Sequence, residues 1–156
     1  MAYAIWQPPG DTGWVRKVGW AREVAESFGV ALPEDRVVDV SPYAEVAGVQ
    51  VRGYLRKHKA PQAFFCGTDE VAGAVLTVVQ CLGMVVPDDI MVLGYGDYAQ
   101  AARTLPPLST VRVPRFQMGV RAVEALARVM EAGPGAPPVR ETLEAELVVR
   151  KTTRML

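Results

Sequence analysis

The chain has 156 residues, a length that suits one globular domain with a core of its own. Apolar residues make up 50% and charged residues 22% of the sequence, which excludes intrinsic disorder. Lys and Arg together number 17, as do Asp and Glu, so the formal net charge is zero. This balance argues against DNA binding by bulk charge and against a polybasic membrane patch. No apolar run reaches the roughly 18 to 20 residues that span a bilayer.

Apolar patterning and turn residues divide the chain into strands and helices. Short apolar runs end at turn residues, and helices begin at capping residues or at proline. In chain order the pattern predicts a first strand at Ala2–Trp6, followed by a helix that is capped by Asp11 or Thr12 and ends at Phe28. It then predicts a strand at Val37–Val40, a helix at Tyr43–Lys57, a strand at Ala63–Gly67 and a helix that is capped by Thr68-Asp69 and ends at Cys81-Leu82. The last predicted elements are strands at Ile90–Leu93 and Leu108–Val113, a helix at Pro114–Ala132 and a strand at Leu143–Val149.

The alternation of strands and helices predicts an α/β fold: a parallel, doubly wound sheet with helices on both faces and right-handed crossovers. Ligands of such sheets bind outside the carboxyl ends of the strands. Those ends carry Gln7–Gly13, Ser41–Tyr43, Gly67–Asp69 and Gly94–Asp97. A binding site is therefore expected at this edge.

Five residues at or just beyond these strand ends are candidates for ligand binding: Arg16, Tyr43, Thr68, Asp69 and Asp97. An arginine fork, an aromatic plane and short polar groups together suit a sugar or another polar ring. The alternative interpretation makes Thr68 and Asp69 helix caps and Arg16 a surface charge. Spacing alone favours that alternative.

The sequence offers no constellation for catalysis or metal binding. His58 is the single histidine, and Cys66 and Cys81 lie far apart, which is not a zinc pattern. A nucleophilic pair of Cys66 and His58 lacks a third group to orient it, and Gly94-x-Gly96 lacks the third glycine of a dinucleotide loop. We therefore expect no metal, no cofactor and no enzymatic activity. Reduced buried thiols suggest a cytoplasmic protein.

Four ordered segments carry a resemblance to the LacI/GalR family of transcriptional regulators. Pro61–Ala74 looks like its strand, acidic turn and Ala-rich helix, and Leu82–Asp97 resembles its Leu-Gly-x-x-Val-Pro-x-Asp-Ile pattern with the strand that follows. Pro106–Pro114 resembles its Pro-Pro-Leu-Thr-Thr-Val segment, and Glu146–Thr153 its closing Glu-Leu-Val-x-Arg motif. Together these segments cover nearly the whole chain.

The resemblance implies one lobe of a two-lobed, periplasmic-binding-protein-like effector domain. Residues 1–113 and 139–156 would form its C-terminal lobe, 114–132 a crossover helix that packs on a first lobe, and 133–138 a linker. The DNA-binding head and that first lobe are expected to be missing here. The implied partners are a small-molecule effector, a sugar or another small polar ligand, and a second copy in a homodimer. DNA would be bound only through the absent head, and no membrane is implied.

Residue by residue, the match to the family's effector site is incomplete. Arg16 falls on the family arginine that holds effector hydroxyls, and Tyr43 on an aromatic stacking position. Thr68 replaces an asparagine, Gly96 replaces the first aspartate of a pair, and Val113 replaces a frequent polar residue. With fewer bidentate groups, the expectation is either a ligand less hydroxylated than a simple sugar or no ligand at all.

The predicted helix at Pro114–Ala132 carries an apolar stripe of Phe116, Val120, Val123, Ala127 and Met130, with Leu126 beside it. A bare stripe usually finds a partner. We therefore expect a homodimer or higher oligomer, with this helix docked on its own lobe, on a neighbour or exchanged. The resemblance also places a dimer surface near Glu70–Cys81 and Ala99–Leu108.

Two rival functions remain open at this point. A solute-binding protein of a sugar transporter shares the implied fold, although the closing segment at Leu147–Thr153 favours the regulator. A small α/β enzyme is the second rival, and it lacks a nucleophile, base or metal constellation in this sequence.

Overall fold

The computed structural model describes residues 1–5, 7 and 13–154. The predicted strand end at Trp6 and the predicted caps Asp11 and Thr12 lie outside these residues. The elements are β1 (Ala2–Ile5), α1 (Gly13–Ser27), β2 (Val37–Asp39), α2 (Ala44–Lys57), β3 (Ala63–Cys66), α3 (Asp69–Cys81), β4 (Met91–Gly96), β5 (Ser109–Arg112), α4 (Arg115–Ala132) and β6 (Glu146–Val148).

The strands form one six-stranded sheet in the order β2-β1-β3-β4-β5-β6. The first five run parallel, which confirms the predicted α/β fold. β6 is the exception, because it pairs antiparallel with β5 and places Val111 opposite Leu147. Its direction depends on how the chain returns from α4, and the local apolar pattern does not encode that path.

One face of the sheet is packed against α2 and α3. Alternate strand residues such as Phe64 and Val92 are fully buried there against helix residues such as Val51 and Val75. Cys66 belongs to the same core. This face closes because α3 is apolar on the side that meets the sheet, as buried parallel strands require.

The opposite face is only half covered, by α1. Val18 and Ala25 of that helix are buried against β1, but Val24 and Phe28 of the same helix remain 57% and 80% exposed. They border an open cavity of about 590 Å³ over β3, β4 and β5, which we call the α1 groove. It is lined by Met1, Tyr3, Lys17, Trp20, Ala21, Val24, Ala25, Phe28, Val30, Phe65, Gly67, Leu93, Tyr95 and Val111.

The fourth strand is longer than predicted. The predicted strand ended at Leu93, with Gly94–Asp97 beyond its carboxyl end, yet β4 runs from Met91 to Gly96. Gly94 is required there by packing, because an added Cβ would overlap the Asp69 carboxylate and press on Leu108. A close approach between layers, and not a turn, explains this glycine.

α4 leaves the sheet and has no buried residue. One of its faces lines a second cavity with the segment at 139–145, where Met118, Ala122 and Ala125 face Val139 and Leu143. The apolar stripe predicted on this helix, which we call the α4 stripe, lies on the other side, with Phe116 at 82% exposure and Met130 at 73%. Among residues 1–5, 7 and 13–154, none of the helices combines the length and the apolar character of a membrane span.

The closing segment is hydrogen-bonded to the sheet, mainly through hydroxyl groups of Ser109 and Thr152. The Ser109 amide donates to Thr152 Oγ1 at 2.8 Å, and the Arg150 amide donates to Ser109 Oγ at 2.8 Å. The Val92 amide donates to the Thr152 carbonyl at 2.9 Å. These bonds satisfy polar groups that would otherwise be costly to bury.

Candidate functional site

The carboxyl ends of the first three strands meet at one edge of the sheet, as predicted. The Gly67 amide donates to the Ala4 carbonyl at 2.9 Å, which joins the ends of β1 and β3. The Gln7 amide donates to Asp39 Oδ1 at 3.1 Å, which joins the ends of β1 and β2. Backbone and side-chain polar groups from three strands are thus concentrated in one place.

Thr68 is the N-cap of α3, as the alternative interpretation predicted. Its Oγ1 accepts a hydrogen bond from the Val71 amide at 3.3 Å. The bond satisfies one of the donors that every helix leaves open at its start. Thr68 therefore fixes where α3 begins at this edge.

Asp69, the first residue of α3, is turned into the protein with 2% exposure. Its Oδ1 accepts from the Thr110 hydroxyl at 2.5 Å, and its Oδ2 accepts from the Tyr98 amide at 2.8 Å. Both oxygens are thus engaged by donors from β5 and from the turn after β4. Asp69 therefore connects the start of α3 to β5 and to the turn after β4.

Asp97 is held by two arginines from distant parts of the chain. Arg112 Nε donates to its Oδ2 at 2.7 Å, and Arg150 Nη2 donates to its Oδ1 at 2.6 Å. Burial by itself would raise the pKa of Asp97, but the hydrogen bonds and charges of Arg150 and Arg112 lower it. Its carboxylate therefore stays ionised and braces the end of β4.

Gly96 explains one departure from the family pattern. Its φ is +130°, a conformation that L side chains rarely adopt, and an added Cβ would collide with the Tyr98 ring. An aspartate at position 96 would therefore be strained in this backbone. The backbone conformation at position 96 therefore explains why this chain has glycine where the family pattern has an aspartate.

Three arginines at this edge were not among the predicted site residues: Arg112, Arg115 and Arg150. Arg115 donates to the carbonyls of Gly96 and Asp97, and its guanidinium lies 4.2 Å from the centroid of the Tyr98 ring. Their partners are 15 to 53 residues away in sequence, beyond the reach of local patterning. The one signal was Arg150, which stands in the closing motif.

Arg16 and Tyr43 lie at helix starts that follow β1 and β2. Arg16 is exposed in the first turns of α1, and its guanidinium lies 5.9 Å from the Trp20 ring centroid. Tyr43 is the N-cap residue of α2, with its side chain 68% exposed. Within the described residues, no hydrogen bond or ion pair joins Arg16 to the cluster around Asp69 and Asp97.

The edge offers guanidinium donors, aromatic planes and the capped start of α3. These groups suit binding of a polar ligand. Across residues 1–5, 7 and 13–154, no group of three or more His, Cys, Asp or Glu side chains could hold a metal ion. Neither the α1 groove nor the cavity beside α4 is lined by any of the five predicted site residues.

Comparison with known proteins yields consistent matches. A family profile described as a periplasmic binding protein-like domain matches residues 1–153. The transcriptional repressor PurR of Vibrio campbellii is 32% identical over 141 residues, which are 90% of this chain and 42% of that protein.

Two solved structures extend the match. The transcriptional regulator CelR in complex with cellobiose superposes with a TM-score of 0.81 at 27% identity, covering 97% of this chain and 46% of that one. A LacI-family regulator from Arthrobacter in complex with lactose gives 0.78 at 25% identity, covering 98% and 56%. The chain thus spans about half, or less, of the length of the proteins it matches.

Proposed function

Because the chain belongs to the periplasmic-binding-protein-like domain family, we propose that it forms one wall of an effector cleft in a LacI-type transcriptional regulator. The observation that carries this proposal is the braced carboxyl edge of the sheet, where Asp69 and Asp97 hold neighbouring strand ends in place. The similarity of almost the whole chain to the CelR–cellobiose complex supports it. The chain would sense a ligand and carry out no chemistry.

Two of the five predicted residues are proposed to contact the effector. Arg16 supplies fork donors and Tyr43 a stacking plane, and both side chains are exposed. The other three, Thr68, Asp69 and Asp97, are proposed to shape the site by holding α3 and the end of β4. Since both carboxylates already accept internal bonds, the ligand meets few carboxylate acceptors, which favours a planar or sparsely hydroxylated polar molecule.

The proposed division of the chain follows its exposed surfaces. Residues 1–113 and 139–156 would form the C-terminal lobe, 133–138 a linker, and 114–132 a helix whose stripe packs on a first lobe. The exposed stripe of α4 supports this assignment. Burial of each large apolar side chain contributes about 1.5–3 kcal/mol, so the stripe favours a covered state.

In the complete regulator, the mechanism would be closure of two lobes on the effector. Effector binding shifts the population from the open to the closed state only if the effector binds the closed state more tightly. This chain would provide half of the contacts, a homodimer surface near α3 and the 99–108 segment, and no DNA contact. DNA would be bound by a separate head, and such a regulator would work in the cytoplasm.

The rival assignment to a sugar transporter has less support. The proteins named above are transcriptional regulators, and the closing segment with Arg150 resembles the regulator motif.

Calorimetric titration tests the proposal with three probes: cellobiose, lactose and adenine. A single lobe encloses only half of a ligand, so we expect at least one probe to bind with a Kd of about 1 mM or weaker. Arg16→Ala and Tyr43→Ala are expected to abolish the heat signal. Lys17→Ala is the matched control, since Lys17 neighbours Arg16 but lines the α1 groove. An equal loss in that control, or an unchanged signal in Arg16→Ala, would place the site elsewhere.

A further inference from the structure

We propose that Arg115 is a positioning residue that links the candidate effector site to α4. Its side chain holds the turn after β4, residues 96–98, against the first turn of α4, and we call this set of contacts the Arg115 clamp. The inference deepens the proposed function and rests on it for the role of the edge. The link between the turn and the helix belongs to the chain itself and can be tested without a ligand.

The clamp consists of contacts that a single side chain makes with consecutive residues. The Arg115 guanidinium donates to the carbonyls of Gly96 and Asp97, and it lies 4.2 Å from the centroid of the Tyr98 ring. A guanidinium is planar and carries its N–H donors in a fixed fork. Hydrogen bonds to both carbonyls together with the ring contact therefore fix the position and the orientation of the Arg115 side chain.

The turn needs such a partner because β4 ends at Gly96. Backbone carbonyls beyond the end of a strand have no partner in the sheet ladder, and each one needs another donor or water. Gly96 and Asp97 have φ of +130° and +52°, so the backbone leaves the sheet sharply at this point. Arg115 supplies hydrogen-bond donors to the carbonyls of both residues.

The other side of the turn is held by residues of the candidate site. The Tyr98 amide donates to Asp69 Oδ2 at 2.8 Å, and the Asp97 carboxylate accepts from two arginines. An added Cβ at Gly96 would lie 2.6 Å from the Tyr98 ring, so the ring packs directly on the backbone of the turn. A movement of the turn at the site therefore moves the Arg115 guanidinium as well.

The start of α4 depends on the clamp for its orientation relative to the sheet. Pro114, the N-cap residue, provides no side-chain cap. Farther along the helix, Arg121 and Arg128 pair with Glu141, which belongs to the 139–145 segment and not to the sheet. In the part of the chain that the structure describes, Arg115 makes the only side-chain hydrogen bonds between α4 and the end of β4.

These contacts couple the 96–98 turn to α4. An effector that moves the turn changes the free energy of the orientation that α4 adopts. Because binding couplings are reciprocal, a state of α4 that breaks the clamp should also weaken effector binding. The clamp thus gives the proposed site a defined physical connection to the helix.

Hydrogen exchange measured by NMR tests the link without a ligand. In Arg115→Ala we expect the Tyr98 amide to exchange about tenfold faster or more, because the turn is no longer held. In Tyr98→Ala we expect faster exchange of the Met118 amide, whose hydrogen bond closes the first turn of α4. Arg103→Ala and Gln117→Ala are the matched controls, because both residues are exposed and lie outside the clamp. Neither control should change these rates.

Further variants separate the clamp from a local loss of stability. Lys keeps the positive charge but lacks the planar fork, so the exchange of the Tyr98 amide in Arg115→Lys should resemble that in Arg115→Ala. The Tyr98→Ala/Arg115→Ala double variant should raise the exchange of Met118 no further than either single variant, because both remove the same contact. Additive effects would overturn the clamp. Circular dichroism checks that each variant folds.

Titration with cellobiose, lactose and adenine separates this inference from the proposed function. In wild type, amides at 96–98 and at 115–118 should shift together. In Arg115→Ala, the first set should still shift at saturation and the second should not. Shifts at the edge of wild type without any at 115–118 would overturn the clamp and leave the proposed function standing. If no probe shifts the edge, the proposed function fails, and unchanged exchange rates in Arg115→Ala would overturn the clamp as well.

Discussion

Asp97 shows how a single residue ties distant segments together at the candidate site. It lies in the left-handed region with φ of +52°, where Asp and Asn are tolerated better than most residues. Its side chain is 10% exposed and meets one arginine from β5 and one from the closing segment. Asp97 therefore stabilises this edge in two ways: its backbone tolerates the left-handed conformation, and its charge pairs with two arginines.

Replacing Asp97 by Asn tests the charge alone, because Asn tolerates the same backbone. We expect a loss of about 1–2 kcal/mol in the free energy of unfolding at pH 7, since one partner, Arg112, is partly solvated. Urea unfolding measures it. Asp88→Asn is the control, because the ion pair of Asp88 with Arg154 is exposed and is worth about 0–1 kcal/mol.

The same variant has a defined pH dependence. The pKa of Asp97 is lower in the folded chain than in the unfolded chain, so its stabilisation is complete above the ordinary value of about 3.9. It is lost as the pH falls through the depressed folded pKa. The stability gap between wild type and Asp97→Asn should therefore shrink below about pH 4. A gap that widens in acid would contradict the ion-pair account.

The two cysteines should differ sharply in reactivity. Cys66 is fully buried, and burial together with the Asp69 charge raises the pKa of its thiol, whereas Cys81 is exposed. Because the thiolate is the reactive form, we expect one thiol per chain to react with Ellman's reagent at pH 8. The second should react only in urea. A Cys81→Ser chain that still reacts quickly when folded would show that the core around β3 is open.

Among the secondary-structure elements, α3 has a side-chain N-cap whose contribution to stability can be measured with one substitution. Thr68→Ala removes the bond to the Val71 amide and is expected to cost about 1 kcal/mol of stability. Thr68→Ser keeps the hydroxyl and should stay within a few tenths of wild type. Urea unfolding of both variants measures this, and equal losses would mean that the methyl group of Thr68 matters more than its hydroxyl.

The elements also show what sequence patterning could and could not predict. Capping and apolar spacing located α2, α3 and α4 to within a residue or two, because these signals are local. The predicted length of β4 was wrong, because Gly94 leaves room for the Asp69 carboxylate and does not mark a turn. That close approach exists only in the folded chain. The edge that holds the candidate site was predictable from strand direction. The hydrogen bonds of Arg112, Arg115 and Arg150 to this edge were not predictable, because they join segments that are far apart in sequence.

For the whole molecule, the uneven cover of the sheet is the main feature. The face under α2 and α3 is sealed by apolar side chains, whereas the other face leaves a groove and α4 leaves a stripe. Large bare apolar surfaces of this kind mark places of association. The chain thus combines one polar edge, proposed to bind a ligand, with two apolar surfaces that suit contact with protein.

If the polar edge is half of an effector site, its backbone amides should respond to a bound ligand, and amide chemical-shift mapping by NMR measures that response. Titration with the probe that gives the strongest calorimetric signal should shift amides at 67–69, 97–98 and the starts of α1 and α2. The same amides should stay unmoved in Arg16→Ala. Shifts confined to the α1 groove or to α4, or shifts that persist in Arg16→Ala, would contradict the account.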